Sequence, residues 1–381
     1  MQDQPKVLFV ARTRYRLPLE GGLLRKFSAL EAEMSVRVLA SSAAAAPPRD
    51  ETFHLVPPRR PRLLDGPLFY TELPWRVARE VREFRPDTII AQGPHAALAA
   101  LAGRALAGRP VRVVLEVHGD WRTMTRLYGS RARRLLAPLA DAAALAGLRR
   151  ADAVRTVSHS TSQLVREYGV EPAAEFPAYL DVTTFLSRPP QPLPDHPLAL
   201  FVGVLERYKN VDALVGAWRM AAPRLPGVCL HVVGDGSMRH AVADLAADLP
   251  EQVRWSPQLA AEDVARALDQ ASLLVLPSRS EGLPRIALEA LCRGRPVLGA
   301  RAGGIPDLLI EGENGFLLER SDPETLAEVL TRVLSDREAL ERVASSCRAT
   351  VEAWLPSPEG YARRVRELVT DGAPGRVPLA A

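Results

Sequence analysis

The sequence predicts an α/β protein of two doubly wound domains, and three observations carry that expectation. Short runs rich in Val, Ile and Leu alternate with helix-length segments. The runs are apolar almost throughout, as strands of a parallel sheet buried on both faces are. The alternation stops at a proline-rich stretch, Arg188-Pro-Pro-Gln-Pro-Leu-Pro-Asp-His-Pro197, and then begins again. Two such domains facing one another leave a cleft, and ligands of open α/β sheets bind beyond the carboxyl ends of the strands.

In chain order, the first-half strands are expected at Val7–Val10, Val36–Ala40, Thr88–Ala91, Val111–Val117 and Val154–Val157. Helix-length segments between them include Gly22–Glu33, Leu73–Phe84 and Ala96–Ala107. The prolines of 188–197 stiffen the chain and continue neither a helix nor a central strand, so this stretch reads as the linker. Beyond it, strands are expected at Leu198–Val204, Leu230–Val233, Leu273–Leu276, Pro296–Leu298 and Phe316–Leu318. The expected domains are therefore 1–187 and 198–355, with a C-terminal helix, 356–371, packing back on the first. The tail, Gly372–Ala381, is expected to fray.

The 381 residues suit two domains rather than one. Hydrophobic residues at 47% and charged residues at 25% are those of a soluble globular protein. No apolar run approaches the ~18–20 residues of a membrane-spanning helix. The start, MQDQPKVLFV, lacks the order of a signal peptide. The three cysteines, Cys229, Cys292 and Cys347, have neither metal-ligand nor disulfide spacing, so a reducing, cytoplasmic setting is expected. Residues 1–187 hold 27 basic against 19 acidic side chains, and the remainder 22 against 26. A basic first half can meet nucleic acid, anionic lipid or a phosphorylated substrate, and it is equally a solvated arginine-rich surface.

The most informative segment is Pro277-Ser-Arg-Ser-Glu-Gly-Leu-Pro-Arg-Ile-Ala-Leu-Glu-Ala-Leu-Cys-Arg-Gly-Arg-Pro-Val297. It follows an apolar strand. Pro284 suits the first position of a helix, which Gly294 and Pro296 then end. Glu281 lies just before that helix and Glu289 inside it. Gly282 and Leu283 lie at a helix start, where amide N–H groups and the positive end of the dipole receive phosphate or sugar hydroxyls. Carboxylates accept hydrogen bonds from hydroxyls, so Glu281 can hold a sugar and Glu289 a ribose. The plainer alternative makes Glu281 a helix-start acid and Glu289 part of a solvated face.

This segment resembles the donor-site motif of the retaining glycosyltransferases of family 4, which have the GT-B fold. The likeness continues through Gly303-Gly304-Ile305-Pro306-Asp307 and Gly312-Glu-Asn-Gly315-Phe316-Leu317. It implies two Rossmann-like domains facing across a cleft, the first binding an acceptor and the second a nucleotide sugar, UDP- or GDP-linked. It further implies transfer of a hexose to a hydroxyl of a glycan, lipid-linked or small-molecule acceptor, with retained anomeric configuration and no metal. No Asp-x-Asp motif or His/Cys cluster speaks for a metal site.

The resemblance also assigns roles residue by residue. Glu281 orients the sugar, and Lys209 neutralises the diphosphate. In Gly203-Val-Leu-Glu-Arg207-Tyr-Lys209, the family's usual Arg position is Val204, and Arg207 is the candidate substitute. Gly203 permits close approach of a ligand. His118, in Glu116-Val-His118-Gly-Asp120-Trp121, is expected near the reacting sugar, with Asp120 a lesser candidate or a helix cap. Gly21 and Gly22 are placed on the diphosphate side, and Gly234 and Ser256 at the base pocket. Where the family often has Pro-Asn-Gly-Val-Asp, this chain keeps only Pro177 and Asp181.

The expected partners are the nucleotide sugar and a glycan or lipid-linked acceptor, not nucleic acid. An anionic membrane surface is a further candidate, through 58–64, Leu68-Phe69-Tyr70 and the stretch 122–136 with Arg126, Arg131, Arg133 and Arg134. Two rival classes remain open: a non-catalytic nucleotide-sugar-binding protein on the same fold, and a dinucleotide oxidoreductase. Absence of a Gly-x-Gly-x-x-Gly loop after the first strand speaks against the latter.

Overall fold

The computed structural model describes residues 4–47, 50–60, 62–127 and 137–370. The chain divides into two compact units, one of Met1–Trp121, Leu135–Asp181 and Pro356–Ala381, the other of Arg122–Arg134 and Val182–Leu355. The expected fraying of Gly372–Ala381 lies outside the described residues.

The first unit carries a seven-stranded sheet in the order β3-β2-β1-β4-β5-β6-β7. Its strands are β1 (Lys6–Tyr15), β2 (Ser35–Ser42), β3 (Phe53–Val56), β4 (Thr88–Gln92), β5 (Arg112–Val117), β6 (Ala153–Thr156) and β7 (Ala174–Glu175). Every pairing is parallel. The central strands are buried over nearly their whole length, which is why they read as unbroken apolar runs. The apolar pattern does not mark β3 and β7. One is an edge strand with a half-buried middle, and the other has only two residues.

The helix expected from Leu73 starts instead at Arg62 and runs to Glu83, with Pro67 and Pro74 inside it. Proline removes a helical hydrogen bond, so sequence alone argues for a later start. Packing holds the longer helix. A side chain at Gly103, on the helix Pro94–Ala107, would lie 2.6 Å from Val77 and 2.8 Å from the Pro74 carbonyl oxygen. The helix Pro358–Thr370 returns to the first unit, against the helix Gly21–Glu33. Tyr361, Ala362, Val365 and Leu368 join Phe9, Phe27 and Phe176 in one core there.

The second unit carries a six-stranded parallel sheet, β10-β9-β8-β11-β12-β13. These are β8 (Leu198–Val202), β9 (Cys229–Val233), β10 (Val253–Ser256), β11 (Leu273–Leu276), β12 (Val297–Ala300) and β13 (Gly315–Leu318). The chain enters this unit between Asp181 and Val182, ahead of the proline-rich stretch. That stretch is strapped down by arginines. Arg293 and Arg348 donate to the Arg188 carbonyl at 3.1 Å each, Arg295 to Pro192 at 3.2 Å and Arg337 to Pro194 at 3.1 Å. Backbone carbonyls that proline-rich chain cannot pair in a sheet are satisfied in this way.

Candidate functional site

In the second unit the expected donor residues gather at the carboxyl ends of β8, β9, β10 and β11. After β8 the chain makes a single 3-10 turn, Arg207–Lys209, and after β11 it makes the loop that leads to Glu281. Backbone contacts hold the two together. The Arg279 amide donates to the Tyr208 carbonyl at 2.8 Å, and the Arg279 guanidinium reaches Asp212 at 2.8 Å and the Arg207 carbonyl at 3.3 Å. The result is a contact between Lys209 Nζ and Glu281 Oε1 at 2.5 Å, with 13% and 10% of the two side chains exposed. A mostly dehydrated ion pair of this kind is far more strongly coupled than a surface pair.

Gly303 and Gly304 support Glu281 from behind. The Gly304 amide donates to the Glu281 carbonyl at 3.2 Å. Gly303 has φ +54, and a Cβ there would fall 1.8 Å from that same carbonyl oxygen. Gly303→Ala is therefore expected to lower both thermal stability and turnover. The left-handed backbone alone costs about 1–2 kcal/mol, and the overlap pushes the Glu281 loop outward. Thermal unfolding beside steady-state kinetics checks this; an unchanged Tm and kcat would show that the loop does not need glycine.

The glycines after β8 and β9 allow another close approach. Gly234, at φ +145, has no room for a Cβ, which would lie 1.8 Å from the Gly203 carbonyl oxygen. Its amide donates to the Ser256 carbonyl at 2.9 Å, so the ends of β8, β9 and β10 are laced by backbone. The Ser256 hydroxyl lies 3.0 Å from His231 Nε2, and Arg254 Nη2 lies 3.0 Å from His231 Nδ1. Burial first, and then Arg254, lowers the His231 pKa to about 4, so the ring is neutral near pH 7. Arg254 can only donate, so the ring's N–H is on Nε2, aimed at Ser256.

Gly282 and Leu283 form the turn into the helix Arg285–Cys292. Pro284 stands one place earlier than expected, at the N-cap, where its carbonyl accepts from the Ala287 amide at 3.1 Å. Glu289 is not on a solvated face. It is 5% exposed, its Oε1 accepts from Arg285 Nε at 2.6 Å, and burial pushes its carboxyl above the usual range despite that arginine. Arg207 is exposed, as is Val204; the bonded contact of Arg207 in this region is its carbonyl, not its guanidinium. The structure thus brings Lys209 and Glu281 together and leaves the side chain of Arg207 outside that pair.

In the first unit His118 follows β5. Its side chain is 42% exposed, and Nε2 lies 3.3 Å from Glu116 Oε2. Glu116 Oε1 accepts from Arg155 Nη1 at 2.6 Å, and both of these side chains are 0% exposed. Sequence reasoning quoted Glu116 but assigned it no role, and it missed Arg155. Part of the signal was present, since each is a charge inside a mostly apolar strand; that the two are register partners appears only when β5 and β6 pair. Gly22 faces a protein group. A Cβ there would lie 2.2 Å from Asp181 Cβ, and Asp181 pairs with Arg25 at 2.5 Å. Gly21 opens the same helix at φ +53. Arg12 and Arg14, beyond the core of β1, both bond to the Asp65 carboxylate, at 3.1 and 3.2 Å.

Of the basic and apolar stretches, Arg131, Arg133 and Arg134 lie outside the described residues, as do the side chains of Leu63 and Leu64. Phe69 is buried in the core, so it is not the exposed apolar group expected; Leu68 and Trp75 on the same helix are exposed. Among the described residues, no helix is long and apolar enough to cross a membrane. Among them, too, no group of three or more His, Cys, Asp or Glu is placed to hold a metal.

Comparison with known proteins bears on both units. A family model described as Glycosyl transferases group 1 matches residues 184–349, and one described as Glycosyltransferase Family 4 matches residues 23–174. The GDP-mannose-dependent monoacylated alpha-(1-6)-phosphatidylinositol monomannoside mannosyltransferase of Corynebacterium glutamicum is 27% identical over 360 residues, 88% of this chain and 91% of that protein. The first curated relatives are matched over less of their length, 31%, 50% and 44% of each, so the chain spans about a third to a half of them. Among solved structures, the sucrose-phosphate synthase of Thermosynechococcus elongatus has a TM-score of 0.74 at 20% identity, covering 97% of this chain and 99% of that one. Anabaena HepE, solved in complex with UDP, has a TM-score of 0.68 at 18% identity, covering 96% of this chain and 100% of that one. At such identities the structural likeness is one of fold, the two-sheet GT-B architecture.

Proposed function

This chain belongs to glycosyltransferase family 4, and from that premise we propose that it moves a hexose from a nucleoside diphosphate carrier to an acceptor hydroxyl. The observation that carries the reading is the Lys209–Glu281 pair, dehydrated and braced at the carboxyl ends of β8 and β11. In the reaction, the bond between the anomeric carbon and the diphosphate oxygen breaks, and the diphosphate gains negative charge. Lys209 and the amides at the turn 282–283 stabilise that charge, which is the term that most lowers such barriers. Glu281 turns from Lys209 to the sugar hydroxyls and orients the ring. The acceptor oxygen bonds to the anomeric carbon from the face the diphosphate leaves, so configuration is retained, and the leaving diphosphate takes the acceptor proton. Glu289 accepts from the ribose, and Gly203, Gly234 and Ser256 lie against the nucleotide. His118 supports the reacting sugar.

UDP and GDP are the two carriers proposed. The Anabaena neighbour was solved with UDP, and the corynebacterial relative is GDP-mannose-dependent. Screening nucleotide sugars by release of nucleoside diphosphate tests the reading. Donor binding without turnover across acceptor classes would favour a non-catalytic binding protein instead. Activity is expected to persist in excess chelator, because Lys209 and the turn amides supply the charge a divalent ion would supply. Loss of turnover in chelator, restored by magnesium, would replace that leaving-group chemistry.

The acceptor side is read as a glycan or lipid-linked hydroxyl, met in the cytoplasm, where the three unbridged cysteines stay reduced. A peripheral contact with anionic membrane fits exposed Leu68, Trp75, Arg59 and Arg60. Each cation near such a surface adds up to about 1 kcal/mol. Cosedimentation with anionic vesicles at low salt is the expected result, reversed by high salt and weakened when Arg131, Arg133 and Arg134 become Ser. No sedimentation at low salt would point to a soluble acceptor.

A further inference from the structure

Fully burying an ion pair costs desolvation that the pairing often fails to recover, and a hydrophobic pair of the same shape is commonly as stable or more so. Glu116 and Arg155 nonetheless stand inside a parallel sheet, register partners on β5 and β6, with neither side chain exposed. The surroundings are arranged to keep both charges. Arg155 Nη2 donates to the Phe176 carbonyl at 2.8 Å, and its guanidinium lies 3.9 Å from the Phe176 ring centre and 5.6 Å from that of Tyr361. Tyr361 belongs to the helix Pro358–Thr370, so that helix closes over the pair. Lys26 Nζ lies 5.3 Å from the Tyr361 ring centre, and its charge also favours an ionised Glu116. Burial alone would push the Glu116 carboxyl up; Arg155, His118 and Lys26 more than offset this and hold it well below the ordinary range.

An ionised carboxylate can only accept. Arg155 occupies Oε1, and Oε2 faces His118 Nε2 at 3.3 Å. The hydrogen must therefore sit on Nε2, and in the neutral ring Nδ1 is then a bare acceptor. The half-exposed imidazole is so held from its buried side. We propose that Glu116, locked by Arg155, is a positioning residue that sets the His118 tautomer and presents Nδ1 to accept a hydrogen bond from a substrate hydroxyl. Glu116 itself touches no substrate. The proposal rests on the transferase reading for the identity of that hydroxyl, but not for the tautomer.

The tautomer can be read without substrate. Nitrogen-15 spectra of the full chain labelled at histidine, with the His118 signals assigned by their loss in His118→Gln, are expected to show the neutral ring in its Nε2–H form. A ring with the proton on Nδ1, or an even mixture, overturns the proposal whatever the activity. In Glu116→Gln the amide oxygen is drawn to Arg155 and the amide nitrogen faces His118, so the proton is expected to move to Nδ1. There kcat is expected to fall about five- to a hundred-fold, the range for leaving a hydrogen-bonding group without its partner, with the donor KM little changed. A shifted tautomer with wild-type kcat overturns the positioning role. Should Glu116→Gln fail to fold, the wild-type spectrum still decides. Absence of turnover from the wild-type protein with every donor and acceptor tried would instead remove the transferase reading, and the tautomer would be judged on the spectrum alone.

Discussion

Glu281→Ala is expected to lower kcat about ten- to a hundred-fold, the usual consequence of losing an oriented hydrogen bond to a charged group. Two effects add in this variant. The sugar loses the carboxylate that orients it, and Lys209, only 13% exposed, loses the partner that holds it 2.5 Å away. Glu281→Gln separates them, since the amide oxygen can still accept from Lys209 but carries no charge; it is expected to retain more activity than Glu281→Ala. Glu289→Ala should act differently. That carboxyl is buried on its helix and bonded to Arg285, so its loss is expected to raise the donor KM more than it lowers kcat. Steady-state kinetics on the three variants checks the order. Wild-type turnover in Glu281→Ala would remove the residue from the site.

Arg155→Met is expected to destabilise the protein by about 3–5 kcal/mol, because it leaves the Glu116 carboxylate buried without the cation bonded to it. The pH dependence carries a sign that tests the cause. In the wild type the folded-state pKa of Glu116 lies below the unfolded value of about 4.3, so its stabilising contribution is complete above that value and fades as pH falls toward the folded pKa. In Arg155→Met burial is opposed only by His118 and Lys26, and the folded pKa rises. Protonation then relieves the variant, and its deficit against the wild type shrinks as pH falls. Urea unfolding at several acidic and neutral pH values measures this; a deficit independent of pH would mean that the loss is one of packing around Phe176 and Tyr361 rather than of charge.

The fold was legible because its signals are local and repeated. The central strands β1, β4, β5, β8 and β11 are buried on both faces, and the chain writes each as a short apolar run. Exceptions fell where burial is incomplete, as at the edge strand β3, or where packing overrides propensity, as in the helix that passes through Pro67 and Pro74. The proline-rich stretch shows the same limit. Proline content says where the chain is stiff, whereas four arginines on later elements decide that it is bound to the second unit.

For the site, the sequence by itself determined which side chains are available at the carboxyl ends of the strands: Lys209, Glu281, Glu289 and His118. It also determined the glycines and the turn that lie beside them. Only the tertiary structure decided which of these meet. Lys209 and Glu281 are 72 residues apart and touch because the loops after β8 and β11 are bonded backbone to backbone. Gly303 matters because its missing Cβ admits the Glu281 carbonyl, and Gly22 because its missing Cβ admits Asp181. Glu116 and Arg155 become one unit only when β5 and β6 pair in register. The physical reason is one of range. Burial patterns and turn chemistry act over a few neighbouring residues and leave a trace in each segment, whereas a hydrogen bond or ion pair acts within about 3 Å in space, wherever along the chain its two partners lie.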